Sequence, residues 1–219
     1  MLELIWNPGN FVHLALLFYG LGFMVRDELL LRSLVLIGTG FYLLYYFFFP
    51  EIPLWDAIFA STVLGIINIT LIIVIVRERT LFAMSADETG LFAAFTTLTP
   101  GQFRKMMKIA NWKTASSAVE LTQEGRMPHS LFYVVSGNVT AEKEGNFFEL
   151  DAEKFIGEIG FLLHTPATAN VVVPPGTVYI EWRTSDLRRL CKKSQAFDNA
   201  LAALFNFDLA KKVTNAVGR

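Results

Sequence analysis

The stretch FIGEIGFLLHTPATANVVV, residues 155–173, decides how the rest of the chain is read. It opens on Gly157-Glu158, places Phe161-Leu162-Leu163 after Gly160, turns at Thr165-Pro166 and ends in a strand-like run. Glycines at 157 and 160 free the backbone for a tight turn into a single helical turn. Such a turn aims several backbone N–H groups at one point and makes a ready anion site. Glu158 is then placed to accept a hydrogen bond from a sugar hydroxyl. On this short pattern alone, a structural turn with a solvated glutamate is the alternative.

The flanks of this stretch read as short strands broken by turns. Strand-like runs lie at 119–121, 131–135, 139–143, 147–150, 169–173 and 177–183. Between them are turn signals at 124–128, Ser136-Gly137, Glu144-Gly145-Asn146 and Pro174-Pro175-Gly176. This regular punctuation suggests a closed antiparallel β-roll. Ahead of it, Leu91, Phe92 and Phe95 form a helical stripe, and Thr99-Pro100-Gly101-Gln102 reads as a capping box with proline at the first helical position. Behind it, Ser185 is expected to cap a helix. A longer helix then aligns Phe197, Leu201, Leu204, Phe205 and Leu209.

The 155–173 stretch resembles the phosphate-binding cassette of the cyclic-nucleotide-binding domain family, whose pattern is F-G-E-aliphatic-A-L, a spacer, then P-R-x-A. Gly157, Glu158 and Ile159 match its first half, with Gly160 in place of the alanine. Pro166, Thr168, Ala169, Asn170 and Val171 match its second half. The family's arginine, which grips the cyclic phosphate, is Ala167 here. The E-G…LFYVVSGNV segment also resembles the family, as does the helix-turn-helix before the strands. The resemblance covers residues 91–209 and implies a ligand site at Gly157, Glu158, Ile159, Gly160, Thr168 and Ala169. It implies cAMP or cGMP as the ligand, with Glu158 on the ribose hydroxyl and Thr168 facing the phosphate or base. Arg126, Lys154 or His164 are candidates to restore the missing charge.

The chain has 219 residues, a formal net charge of −1, 53% hydrophobic and 18% charged residues. The apolar excess sits in the first third, which argues for a membrane region joined to one globular domain. Apolar runs at 11–25, 34–49 and 54–76 are read as three transmembrane helices, the first two reaching span length only if flanks such as Leu29, Leu30 and Leu31 join them. Arg26, Arg32, Arg77 and Arg79 lie on one side of these runs, and the loop around Pro50-Glu51-Ile52-Pro53 has no basic residue. The N-terminus is therefore expected outside and the C-terminal domain in the cytoplasm. Trp6 and Trp55 read as interface anchors. Ala57, Ser61, Gly65 and Asn68 form a small-residue stripe, with Asn68 able to bond across helices, either within one protomer or between copies of a homo-oligomer. Residues 77–87 read as a helical continuation into the cytoplasm.

The expected class is thus membrane α + β: a three-helix region (1–76) in the lipid bilayer, a helical linker (77–90) and a cyclic-nucleotide-binding-like β-roll flanked by helices (91–219). This architecture resembles the Popeye-domain membrane proteins. Their cassette reads D-S-P-E where this chain has Gly157-Glu158-Ile159-Gly160, so the ligand residues of that group are not carried over. Cys191, the single cysteine, cannot form an intrachain disulfide and is expected to be a small buried or half-buried residue in a reducing compartment. His13, His129 and His164 are scattered, so no metal or other cofactor is expected. No nucleophile–base grouping suggests an enzyme, and the near-neutral charge gives no argument for nucleic acid. The function expected is a membrane-anchored cyclic-nucleotide sensor. The alternative is a scaffold or oligomerisation module that binds no nucleotide.

Overall fold

In the computed structural model, which describes residues 8–81 and 84–217, the three apolar runs form α1 (Pro8–Met24), α2 (Glu28–Phe48) and α3 (Trp55–Arg79). Helix α2 absorbs Leu29, Leu30 and Leu31 because Asp27 caps it, accepting from the Leu30 N–H at 3.0 Å. By length and composition α2 and α3 are long and apolar enough to cross a membrane, whereas α1 is shorter at 17 residues. Of the three helices expected to span, two thus have the length and composition for it.

Close packing explains several small residues here. A Cβ on Gly38 would lie 3.0 Å from the Ala15 carbonyl oxygen and from the Tyr19 ring, so glycine lets α1 and α2 approach. The Thr39 hydroxyl donates to the Val35 carbonyl at 2.9 Å and so accepts from the Tyr19 hydroxyl at 2.8 Å. Arg79 pairs with Asp27 at 2.8 Å, which brings the end of α3 to the α1–α2 loop. The small-residue stripe turns inward at its C-terminal end. Gly65 and Asn68 are buried, and a Cβ on Gly65 would meet Leu36 and Thr39 of α2 at 3.9 Å. Asn68 donates to the Leu64 carbonyl of its own helix at 3.0 Å, not across helices as expected. Trp55 is exposed at the start of α3, and Trp6 lies outside the described residues.

The chain divides into two units, Met1–Phe82 and Ala83–Arg219. The helical continuation expected over 77–87 is interrupted, because α3 ends at Arg79 and Thr80 is extended (φ −112°, ψ 156°). The next helix, α4 (Ala86–Phe92), starts behind its own Ser85–Glu88 capping box. It is followed by α5 (Pro100–Met107), opened by the expected Thr99–Gln102 box, and then by β1 (Asn111–Thr114), β2 (Val119–Thr122), β3 (Ser130–Ser136), β4 (Val139–Lys143), β5 (Asn146–Leu150) and β6 (Lys154–Ile156). The single helical turn α6 (Glu158–Leu163) leads to β7 (Asn170–Val173), β8 (Val178–Arg183), α7 (Thr184–Lys193) and α8 (Gln195–Val217). The strands form two antiparallel four-stranded sheets, ordered β1-β8-β3-β6 and β2-β7-β4-β5.

Strand β3 explains the two-layered core. Leu131, Phe132, Tyr133 and Val134 are all buried, the pattern of a strand covered on both faces. Leu131 and Tyr133 join Phe155, Ile180 and Trp182 under the helices, against Phe103, Leu187, Leu201 and Phe205. Phe132 and Val134 face the other way and pack inside the roll with Ile156, Val171, Val173 and Tyr179. Ser185 does not cap α7. That helix begins at Thr184, which donates its N–H to the His129 carbonyl at 2.9 Å and its hydroxyl to the Pro128 carbonyl at 3.3 Å.

Trp182 is fully buried and donates its indole N–H to the Met106 carbonyl at 3.0 Å, tying β8 to the last turn of α5. Trp182→Phe should lower the stability of the second unit by about 0.5–1.5 kcal/mol for the lost hydrogen bond, since the Met106 carbonyl keeps the Ile109 N–H at 3.3 Å, with a further loss from the void. Thermal and denaturant unfolding of the detergent-solubilised chain would measure it.

Candidate functional site

Strand β6 delivers the chain to Gly157, whose φ of +90° suits glycine and turns the backbone into α6. A Cβ at 157 would also sit 3.3 Å from the Ser130 carbonyl oxygen of β3. At Gly160 the constraint is space. A Cβ there would lie 2.8 Å from both Pro128 Cγ and the Thr165 carbonyl oxygen, so the alanine of the resembling pattern does not fit. His164 ends α6 in the left-handed region at φ +59°.

The second half of the cassette is held by the turn after β2. Ala167 donates its N–H to the Arg126 carbonyl at 2.8 Å and accepts from the Gly125 N–H at 2.9 Å. The Thr122 hydroxyl donates to the Ala169 carbonyl at 3.1 Å, and the Asn170 side-chain oxygen accepts from the Glu124 N–H at 2.7 Å. The two halves then close around a cavity of about 120 Å³. All six residues expected at the site, Gly157, Glu158, Ile159, Gly160, Thr168 and Ala169, line it, and so does Ala167.

Glu158 is 4% exposed and does not face solvent. Its carboxylate accepts from Lys212 of α8 at 2.7 Å. The same ammonium donates to the Phe155 carbonyl and lies 2.9 Å from Asp208, one helical turn back on α8. Lys212 also lines the cavity. Arg126, Lys154 and His164, the cations expected to replace the missing arginine, do not line it, and His164 contacts Arg188. Sequence reasoning missed Lys212. Its one signal is the i, i+4 spacing from Asp208, which also fits an ordinary helix surface.

The local charge is negative: Glu158 and Asp208 face one ammonium. Burial pushes the Glu158 carboxyl above the ordinary carboxylate range, against the pull of Lys212. A carboxyl whose folded pKa is raised favours the folded state at low pH and loses that contribution as pH rises through the folded value. Glu158→Gln removes the titrating group. The wild-type melting temperature should therefore fall, relative to that of Glu158→Gln, as pH rises from the ordinary carboxylate range through the raised value. Parallel pH profiles of the two proteins would contradict this.

No family model matches the chain, and no curated protein matches it. Solved structures do. One is a protein from Geobacter metallireducens GS-15 whose name proposes cyclic-nucleotide binding. It aligns at 14% identity and a TM-score of 0.53, covering 59% of this chain and 98% of that one. Another is a cyclic nucleotide-binding domain from Methylobacillus flagellatus KT, at 17% identity and a TM-score of 0.49, covering 55% of this chain and 71% of that one. At such identities the likeness is one of fold. The second unit has the fold of a cyclic-nucleotide-binding domain, an antiparallel β-roll flanked by helices.

Proposed function

We propose that the chain is a membrane-anchored sensor of the cyclic-nucleotide class, with cAMP or cGMP as the ligand to test first. The observation that carries this reading is the convergence of the six cassette positions on one cavity with the Glu158 carboxylate buried in its wall. An acceptor buried at that point matches the sugar-binding role implied by the resemblance. Glu158 would take the ribose hydroxyl and Thr168 would face the phosphate or base.

Two features set the conditions for binding. A cavity of about 120 Å³ is smaller than the roughly 300–1,000 Å³ of small-molecule sites. Lys212 also occupies the carboxylate that the ribose would need. On this reading the Lys212 turn of α8 leaves Glu158 when ligand enters, and the exchange of partners couples ligand to α8. The absence of an arginine at 167 favours the second reading, a scaffold whose cassette stays closed on itself.

Titration of the full chain in detergent with cAMP and cGMP separates the readings. Ala167→Arg should raise affinity by about 10- to 100-fold, the worth of one charge-assisted hydrogen bond. Glu158→Ala in that background should abolish the gain. No binding, together with a lower melting temperature for Ala167→Arg, would establish the scaffold reading instead.

The membrane part of the reading is supported by the length and composition of α2 and α3 and by the four arginines on one side of the apolar runs. The helices ahead of a single such domain resemble the Popeye arrangement, and a homo-oligomer through them is part of the proposal. Burial and the Asp198 carboxylate push the Cys191 thiol up to about 12, which lowers its thiolate fraction, and Cys191→Ser serves as the labelling background. In intact cells a membrane-impermeant thiol reagent should therefore label Glu51→Cys and spare Asn146→Cys. Labelling of Asn146→Cys from outside would invert the topology.

A further inference from the structure

A second and larger cavity lies on the other side of α8. It encloses about 630 Å³ within the second unit, between α4, β1, β3, the turn into β6 and α8. Tyr133, Phe155 and Leu204 form its buried floor. Trp112 and Phe207, 45% and 50% exposed, also line it, giving it two accessible aromatic rings. Its charged lining is lopsided: Asp87, Glu153 and Asp208 against Lys211. Lys211 lies over the Phe207 ring, 4.5 Å from its centroid, and Asp208 is paired with Lys212. Among the described residues neither Asp87 nor Glu153 has an ion-pair partner.

The floor of this cavity carries a further feature, a buried hydroxyl behind the Tyr133 ring. Tyr133 is 2% exposed, and its hydroxyl has no hydrogen-bond partner among the described residues. Burial, then the charges of Glu153 and Asp208, raise its phenol well above the ordinary value, so it stays protonated. Buried hydroxyls without partners are uncommon in folded proteins, and each calls for an explanation. Here the two carboxylates that act on the hydroxyl both belong to the cavity wall.

We propose that this cavity binds a small organic cation, an ammonium group carried on an apolar or aromatic body. The volume falls in the range of small-molecule sites. The ammonium would sit by Glu153 and Asp87, at the solvent-facing side of the cavity. The body would lie on Leu204 and Phe155, with Trp112 offering a ring face to the charge. A like-shaped anion meets a net negative lining and is refused. The two cavities share no lining residue, so amine binding is tested apart from the nucleotide reading.

Calorimetric titration of the full chain in detergent with phenethylamine, and with phenylacetate as the matched anion, tests it. Phenethylamine should bind at least about tenfold more tightly than phenylacetate. The double variant Asp87→Asn/Glu153→Gln, made at two exposed positions, should weaken the amine by about tenfold or more and leave the melting temperature near wild type. Glu149→Gln, on the exposed face of β5 and outside both cavities, should leave amine binding unchanged. Equal affinity for the amine and the acid, no heat from either, or an amine affinity unmoved in the double variant would overturn the proposal.

Discussion

Strand β3 is covered on both faces, and the second unit is organised around that fact. A backbone buried on both sides must have its polar groups paired within the sheet. β3 achieves this by lying between β8 and β6. Its side chains then divide the unit in two. One face requires helices to cover Tyr133 and Leu131, and α5, α7 and α8 supply them. The other requires a second sheet over Phe132 and Val134. The cassette follows β6, the neighbour of β3, so its position is fixed by the same ladder. Its glutamate is carried to the boundary between the roll and the last helix.

At that boundary one ammonium serves two carboxylates. A buried ion pair of this kind is poor evidence of added stability, because desolvating the charges offsets much of their attraction. The raised Glu158 carboxyl says the same for this pair: burial outweighs Lys212. Removing one partner alone is a different matter, since it strands a buried charge at a cost of about 3–5 kcal/mol. The pair therefore acts more through geometry than through net energy. It fixes the rotation of α8, placing Lys212 in the cassette while Phe205 and Leu201 face the core.

Much of this fold can be read in the sequence where local chemistry decides. Glycine at 157, the capping box at Thr99–Gln102 and the apolar run 131–135 each have one strong local solution, and each is found. The six cassette positions line one cavity because the same local turn gathers them. What escaped depends on partners far along the chain. β1 and β6 are short, and they are strands because β8 and β3 offer them edges. Ser185 had the right chemistry for a cap, but carbonyls at Pro128 and His129 hold Thr184, and the helix starts there, two residues before a Ser185 cap would start it. Asn68 found an acceptor in its own helix. Lys212 reaches a glutamate 54 positions away, and no spacing rule connects them.

The departure at Gly160 has a consequence beyond the cassette itself. The atoms that exclude a methyl group there belong to the Thr165 carbonyl and to Pro128, a residue thirty-two positions earlier in the turn before β3. Position 160 is therefore held by two neighbours of different kinds, a side chain and a backbone oxygen. Shrinking Pro128 relieves only one of them, so alanine at 160 also requires the 165 turn to move. What looks like a one-letter deviation from a motif is a statement about the path of the loop that follows it, and the motif's usual alanine would be the foreign residue in this protein.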